Sequence, residues 1–151
     1  MKLSYQGIQD KQAFAQANIK LPSYDWKAMA AETEVNPTWV HFGAGNIFRA
    51  FIAKLQHDLL NQGLVKGGIV AADTFDFDNI NMIYRPYDSM TMLVILMPDG
   101  TMKKEVVASI SKGLRVGPQF EEEREQLLSL LAKLNGDTRF SSISETGKDD
   151  T

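Results

Sequence analysis

Two glycines, Gly43 and Gly45, stand one residue apart in the stretch TWVHFGAGN and have the spacing of a turn that cradles a diphosphate. Gly43 permits a tight turn, and the missing Cβ at Gly45 lets backbone N–H groups come close to phosphate oxygens. A helix beginning near Asn46 would add its unpaired N–H groups and the positive end of its dipole. Arg49, in the first turn of that helix, would add a charged hydrogen-bond donor for the phosphate. The pattern favours dinucleotide binding over the alternative of a purely structural turn.

The elements on either side of the glycines agree with this chemistry. Residues 38–42 are rich in β-branched and aromatic side chains and predict a strand. From Asn46 onwards the apolar residues recur at spacings of three and four, the pattern of an amphipathic helix that ends near Gly63. The stripe consists of Ile47, Phe48, Phe51, Ile52, Leu55, Leu59 and Leu60.

A second strand supplies a candidate ribose ligand. The apolar run 68–73 is typical of a parallel strand that is covered on both faces, and Asp73 ends it. An acid at this place can bind the adenosine ribose hydroxyls, and it favours NAD because it repels the additional phosphate of NADP. Asp76 and Asp78 are rivals for the role, although a solvated loop is the simpler interpretation of both. Phe48 replaces the third glycine of the simplest pattern, which weakens the match on its own.

The strand, helix and strand together predict a Rossmann-type, doubly wound α/β fold with a mostly parallel sheet and an antiparallel hairpin. We expect an N-terminal arm over 1–36 packed on the domain, an NAD-binding Rossmann-like domain over 37–146 and a frayed tail over 147–151. Further expected elements are a hairpin of 91–97 and 104–110 around Pro98-Asp-Gly-Thr101, a helix over 120–134 stopped by Asn135-Gly136, and a last strand over 139–144.

Composition narrows the class of protein. The 151 residues carry a net charge of −3 and have a pI near 5.4, so no basic field points to nucleic acid. Cysteine is absent, which excludes disulfides and thiolate metal sites. The N-terminus lacks the apolar core of a signal peptide and no apolar run is long enough to span a bilayer. We therefore expect a cytoplasmic protein.

For the other candidate residues, a structural role is a simpler explanation than a catalytic or binding role. His41 alternates with Trp39 along the first strand, so we expect a hydrogen-bonded core histidine. His57 lies in mid-helix near Lys54 and Asp58, which indicates a surface position. The acids and arginine of 121–124 indicate a solvated start of a helix. The residues 85–88 indicate a rigid turn with polar side chains, and the alternative is a role near a substrate.

The stretch HFGAGNIFRAF, 41–51, resembles the first glycine motif of the mannitol dehydrogenase family, the polyol-specific long-chain dehydrogenases, in which the third glycine is often absent. The resemblance extends to LPSYD at 21–25 and from IYRPYD at 83–88 to VVASI at 106–110. The segment 83–110 is most similar to the hexuronate branch, which includes fructuronate reductase (mannonate oxidoreductase). The resemblance implies an NAD-binding domain with Gly43, Gly45, Asn46 and Arg49 at the pyrophosphate and Asp73 at the ribose.

The chain departs from the family where catalysis would be expected. The family carries a K-x-x-x-x-N-x-x-H arrangement in a helical C-terminal domain, but here no histidine follows His57 and no lysine has Asn at the fifth position. The resemblance therefore implies the cofactor half of an oxidoreductase that acts on a polyol or sugar acid, with the catalytic helical domain absent and no turnover by this chain alone. An alternative is a non-catalytic nucleotide-binding or protein-interaction module that self-associates through its exposed docking face. We expect no catalytic residue and no metal ligand. The predicted cofactor-binding residues are Gly43, Gly45, Asn46, Ile47, Arg49 and Asp73.

Overall fold

The computed structural model describes residues 1–134 in full and the backbone of the strand at 139–142. The α-helices are α1 (Lys11–Gln16), α2 (Trp26–Val35), α3 (Ala53–Asn61), α4 (Phe77–Asn79) and α5 (Glu121–Lys133). The strands are β1 (Ile19–Lys20), β2 (Trp39–Phe42), β3 (Ile69–Asp73), β4 (Thr91–Leu96), β5 (Met102–Val107), β6 (Ile110–Arg115) and β7 (Arg139–Ser142). Short 3-10 turns cover Gly7–Gln9 and Arg85–Tyr87, and π-helical turns cover Phe48–Ile52 and Ile80–Tyr84.

The strands form two sheets. A four-stranded, all-parallel sheet has the order β6-β3-β2-β7, and a three-stranded sheet has the order β1-β5-β4. In the first sheet Val40 lies opposite Val70, so β2 and β3 form the predicted parallel pair joined by a helix. Because all four strands run in one direction, their carboxyl ends meet at one edge, where ligands of open α/β sheets bind.

Helices cover both faces of the parallel sheet. One apolar cluster joins alternate residues of β3, such as Ala71, to Phe48, Ala53 and Tyr84. The intervening β3 residues pack on the opposite face against α5, for example Val70 against Leu127. All five β3 residues are buried, as the sequence predicted for a strand covered on both faces. The Rossmann-type class is confirmed.

The hairpin lies in a different sheet from the one predicted. β4 and β5 pair antiparallel with Leu96 opposite Met102, which confirms the hairpin itself. However, the β-rich run over 104–110, predicted as the second arm of the hairpin, contains the end of β5 and the beginning of β6, which belong to different sheets. The chain passes from one to the other at Ala108 and Ser109. The Ser109 hydroxyl donates to the Ala53 carbonyl over 2.5 Å, which anchors this crossing.

The helix that follows the two glycines, here called the glycine-turn helix, buries its predicted apolar stripe only in part. The helix runs without interruption from Asn46 to Asn61, but four of its seven stripe residues are exposed. Those four are Ile47, Phe51, Leu55 and Leu59. The helix instead buries Phe48 and Leu60 together with polar residues such as His57. The π turn at Phe48–Ile52 explains why the predicted stripe does not coincide with the buried face. Its wider hydrogen bonding rotates the side chains that follow it around the helix axis, away from the regular helical period.

Other expectations are confirmed within the described residues. Gly63, with φ of 70°, follows the glycine-turn helix and donates to the Leu60 carbonyl, and α5 matches the helix predicted over 120–134. The last strand is present over 139–142 and pairs parallel with β2. Positions 143 and 144, the stop at Asn135-Gly136 and the tail lie outside the described residues. Among the helices that are described, none is long and apolar enough to cross a membrane.

Candidate dinucleotide site

The glycine turn connects β2 directly to the helix that follows it. Gly43 has φ of 113°, a conformation that favours glycine. Its N–H donates to the Ala72 carbonyl over 2.8 Å, so β2 and β3 stay hydrogen bonded up to the turn. The helix begins at Asn46, and the Arg49 N–H already bonds back to the Gly45 carbonyl over 3.2 Å. The first N–H groups of this helix thus lie at the carboxyl edge of the sheet, as the sequence predicted.

Asp73 joins the end of β3 to this turn. Its Oδ1 accepts the N–H groups of Phe75 and Asp76 over 2.9 and 2.8 Å, and its Oδ2 accepts the Ala44 N–H over 3.3 Å. The residue is 6 % exposed. A carboxylate has about four lone-pair sites, so three backbone bonds leave one acceptor site for a ligand hydroxyl.

The two rival acids lie further from the turn. Asp76 accepts a side-chain hydrogen bond from Asn79 over 3.0 Å, and both Asp76 and Asp78 are exposed. Of the three acids, only Asp73 bonds to the backbone of the glycine turn within the described structure. Its position favours it over the other two for a role at that turn.

Arg49 and Asn46 lie together over the first turn of the helix. The Arg49 guanidinium donates to the Asn46 side-chain oxygen, and its Nε donates to the Gly45 carbonyl over 3.4 Å. The guanidinium carbon is 6.0 Å from the centre of the Tyr84 ring. Ile47, beside them, is exposed. The structure therefore brings all six predicted binding residues to one edge of the sheet.

Tyr84 supports the turn and was not identified as a site residue from the sequence. Its buried hydroxyl donates to the Ala44 carbonyl over 3.0 Å, between the two glycines. The ring can lie this close to the sheet because Gly113 on β6 has no side chain; a Cβ there would be 2.8 Å from the Tyr84 ring. The only sequence signal was its place in IYRPYD at 83–88, a stretch that carries part of the family resemblance.

His41 is a core residue, as predicted. It is fully buried, and its ring stacks on Phe48 with the ring centres 4.0 Å apart and the planes inclined by 5°. Burial lowers the pKa of His41 to about 4, so its ring is neutral at pH 7. Phe48 occupies the position of the third glycine of the simplest pattern, and its ring is buried in a cluster with the small side chains of Ala44 and Ala71.

The surface position predicted for His57 is wrong. The side chain is fully buried at the far end of the helix. Its Nδ1 is 2.6 Å from the Tyr24 hydroxyl and accepts the Ala108 N–H over 3.3 Å, and its Nε2 is 3.3 Å from Glu105. Burial lowers the pKa of His57, and the nearby Glu105 charge opposes this only in part. Tyr24 and Glu105 are distant in sequence, so local spacing gave no signal for this contact.

Lys54 completes this buried polar cluster. Its Nζ is 3.1 Å from Glu105 Oε2 and also contacts Asp58. Burial alone would raise the pKa of Glu105, but the hydrogen bond and charge of Lys54 outweigh it and hold that pKa below its usual range. The cluster links the N-terminal segment, α3 and β5.

Two surface cavities lie apart from the glycine turn. One, of about 440 Å³, is bordered by Arg85 and Glu123, and the other, of about 510 Å³, by the segment from Leu21 to Trp26. Neither is bordered by Gly43, Gly45 or Asp73. The candidate site at the sheet edge is separate from both cavities.

The comparisons with known proteins match the chain by sequence to an oxidoreductase and by fold to two dehydrogenases. No family model matches the chain. Over 118 residues it is 36 % identical to D-mannonate oxidoreductase from Thermotoga maritima, an alignment that covers 78 % of this chain and 22 % of that relative. The chain therefore spans about a fifth of the length of the curated relative it matches.

Two solved structures share the fold. Mannitol 2-dehydrogenase from Pseudomonas fluorescens, solved as a ternary complex with NAD and D-mannitol, aligns with a TM-score of 0.68 at 24 % identity over 95 % of this chain and 26 % of that one. Substrate-free D-sorbitol dehydrogenase aligns with a TM-score of 0.64 at 24 % identity, over 86 % and 27 % of the two chains.

Proposed function

We propose that this chain, which belongs to the mannitol dehydrogenase family and matches the N-terminal part of its members, binds NAD at the carboxyl edge of its parallel sheet. We propose further that it forms the cofactor-binding part of an oxidoreductase that transfers a hydride between NAD and a polyol or sugar acid, of the mannonate/fructuronate or mannitol type. The mannonate oxidoreductase relative and the NAD and mannitol complex of a structural neighbour support these assignments.

The observation that carries the proposal is the hydrogen-bonded connection between the two halves of the site. Ala44, between the two glycines, donates to Asp73 at the end of the next strand over 3.3 Å. The turn suited to a diphosphate and the acid suited to a ribose are thus held at a fixed spacing. This is the arrangement that a dinucleotide with its pyrophosphate on the helix N-terminus requires.

Each residue has a proposed role. The backbone at Gly43 and Gly45 and the first turn of the helix at Asn46 and Ile47 would bind the pyrophosphate, and Arg49 would neutralise its charge. Asp73 would accept a ribose hydroxyl at its remaining lone-pair site. When bound, NAD supplies the hydride acceptor for oxidation of an alcohol carbon.

The removal of the alcohol proton needs a general base that we do not assign to this chain. The sequence has no lysine followed by the Asn and His spacing of the family. We expect the purified 151-residue chain to bind NADH and to oxidise neither mannitol nor mannonate. Turnover of either substrate by this chain would contradict that expectation.

A second function is favoured by the exposed apolar stripe. Ile47, Phe51, Leu55 and Leu59 follow one another at intervals of four along the helix, and each is at least 37 % exposed. Exposed apolar patches on soluble domains often mark protein interfaces. A non-catalytic interaction module would form a stable, specific dimer whose mass by light scattering is the same with and without NAD.

NADH fluorescence titration tests the primary proposal. Gly45→Ala places a methyl group at the expected pyrophosphate position and should weaken NADH binding by at least about tenfold, the loss of one charge-assisted contact. Gly67→Ala is the control, because a Cβ at Gly67 meets only ordinary contacts of 3.7 and 3.8 Å. Equal binding by wild type and Gly45→Ala would exclude the glycine turn as the site.

A further inference from the structure

A cation lies beside the proposed ribose acid. Arg115 ends β6 as Asp73 ends β3, and the two residues are paired in the parallel register. Neighbouring strands are about 4.8 Å apart, and paired residues of parallel strands project from the same face. The Arg115 and Asp73 side chains therefore leave the sheet from adjacent positions at its carboxyl edge.

Glu123 on α5, and not Asp73, binds the Arg115 side chain. Glu123 Oε1 accepts from Arg115 Nε over 3.0 Å and from Nη2 over 2.7 Å, and its Oε2 accepts the Arg115 backbone N–H over 2.5 Å. The guanidinium also lies 3.8 Å from the centre of the Phe120 ring. The Arg115 guanidinium is thus held against the first turn of α5 by two hydrogen bonds and one aromatic contact, and the third bond holds its backbone.

Glu123 is more than a solvated helix-start acid, which corrects the interpretation of 121–124. It also accepts from Arg85, and its side chain is 13 % exposed. Burial alone would raise the pKa of Glu123, but the hydrogen bonds from Arg115 and Arg85 hold it below its usual range. The neighbouring Glu121 and Glu122 are exposed, as predicted for this helix start.

We propose that Glu123 is a specificity-determining residue that selects NAD over NADP by holding the Arg115 guanidinium away from the ribose edge. The inference rests on the proposed binding of NAD with its adenosine ribose at Asp73. Glu123 does not contact the cofactor; it is a positioning residue that acts through Arg115.

The chemistry of the two cofactors explains why this pairing matters. NADP differs from NAD by a phosphate on the adenosine ribose, and a guanidinium is the side chain best suited to bind a phosphate through two parallel hydrogen bonds. An unpaired Arg115 next to Asp73 would offer that group, in part offsetting the repulsion between phosphate and Asp73. Pairing with Glu123 occupies the Nε and Nη2 donors of the guanidinium, and the carboxylate offsets the Arg115 charge beside Asp73.

The test compares NADH and NADPH affinities of wild type and Glu123→Gln by fluorescence titration. Glutamine keeps a carbonyl oxygen for the Arg115 N–H but removes the charge. We expect NADPH to bind about tenfold more tightly to the variant, the value of one charge-assisted contact, with NADH affinity changed less than about threefold. Glu122→Gln, an exposed neighbour with the same charge change, should leave both affinities as in wild type.

Two further variants isolate Arg115. The double variant Glu123→Gln/Arg115→Ala should lose the gain in NADPH affinity; if the gain persists, Arg115 is not its source and the proposal is wrong. Arg115→Gln alone should leave the ratio of the two affinities unchanged, because Glu123 already withholds the guanidinium. A several-fold loss of NADPH affinity in that variant would mean that Arg115 already reaches the phosphate, which also overturns the proposal.

The outcomes separate this inference from the function on which it rests. Wild-type protein that binds neither nucleotide would overturn both. Wild-type protein that binds NADH, with an unchanged ratio in a folded Glu123→Gln variant, would overturn the role of Glu123 alone.

Discussion

The two ends of the glycine-turn helix use polar groups in opposite ways. At its N-terminal end, Asp73 is bound by backbone N–H groups, and the first N–H groups of the helix lie at the open sheet edge. Near its C-terminal end, the buried His57 and Glu105 side chains lie 3.3 Å apart, and the half-buried Lys54 side chain pairs with Glu105. The first arrangement places backbone N–H groups at an edge that a ligand can reach, and the second uses its polar groups within the fold.

Because of this difference, we expect substitutions at the two ends to affect different properties, nucleotide affinity at one end and the free energy of unfolding at the other. Substitutions of the polar side chains at the N-terminal end that are not buried, Asn46 and Arg49, should change nucleotide affinity with modest effects on folding, because these groups face the sheet edge. Substitutions in the buried cluster should change the free energy of unfolding and leave the affinity of the folded protein unaltered. The following predictions test that separation.

The largest effect is expected for Glu105→Ala. It removes the acid that Lys54 and the buried His57 contact, at a site where Glu105 is 8 % exposed, and leaves Lys54 with Asp58 alone. Removing one member of a buried ion pair costs about 3–5 kcal/mol, and because Lys54 is partly exposed and keeps Asp58 we expect the lower half of this range, measured as the free energy of unfolding in urea. Glu125→Ala, on the exposed face of α5, should change stability by less than about 0.5 kcal/mol. A loss below about 1 kcal/mol for Glu105→Ala would show that the cluster is not a stabilising element.

Phe48→Ala should have the next largest effect. The side chain is 2 % exposed and stacks on His41. Its removal should cost about 3 kcal/mol through lost burial and a residual cavity, again by urea denaturation. NADH affinity of the folded variant should stay within about threefold, a change of less than about 1 kcal/mol in binding free energy, because the buried Phe48 ring does not face the sheet edge. Unfolding that matches wild type would contradict the stacked core position of this residue.

Acid should destabilise the protein through its two buried histidines. The pKa of His41 is about 4 in the folded protein against an ordinary 6.5, and that of His57 is also lowered. Because the unfolded chain takes up these protons at higher pH, stability is complete above about pH 6.5 and falls as the pH decreases towards 4. Melting temperatures should therefore decline over this range. Imidazole proton signals that titrate near pH 6.5 in the folded protein would refute the assignment.

The smallest effect is expected for Phe51→Ala, three residues beyond Phe48. Phe51 is 62 % exposed on the same helix. Its substitution should change the free energy of unfolding by less than about 0.5 kcal/mol, and it should reduce any self-association seen by light scattering. A cost similar to that of Phe48→Ala would mean that the stripe is buried in solution.

The sequence predicted the elements whose signals are local. The change of period at Asn46 located the turn between strand and helix, and the apolar run ending at Asp73 located the parallel strand. Gly43, Gly45 and Asp73 meet at one edge because parallel strands end together, which pattern alone implies.

The errors arose where distant residues or local irregularities decide the outcome. His57 looked exposed because Lys54 and Asp58 flank it, but Tyr24 and Glu105 reach it from other parts of the chain. The apolar stripe was assigned by a regular helical period that the π turn interrupts. The boundary between β5 and β6 was hidden because the buried residues Ala108 and Ser109 continue the run without any turn signal.

Amide chemical shifts recorded during titration with NADH test the central claim most directly, because they report on both ends of the helix in one experiment. The account predicts that the largest shifts fall on Gly43–Arg49 and on Asp73–Asp76, and that the amides of His57 and Glu105 move little. Shifts centred on the buried cluster or on either surface cavity, or no shifts at millimolar NADH, would contradict it.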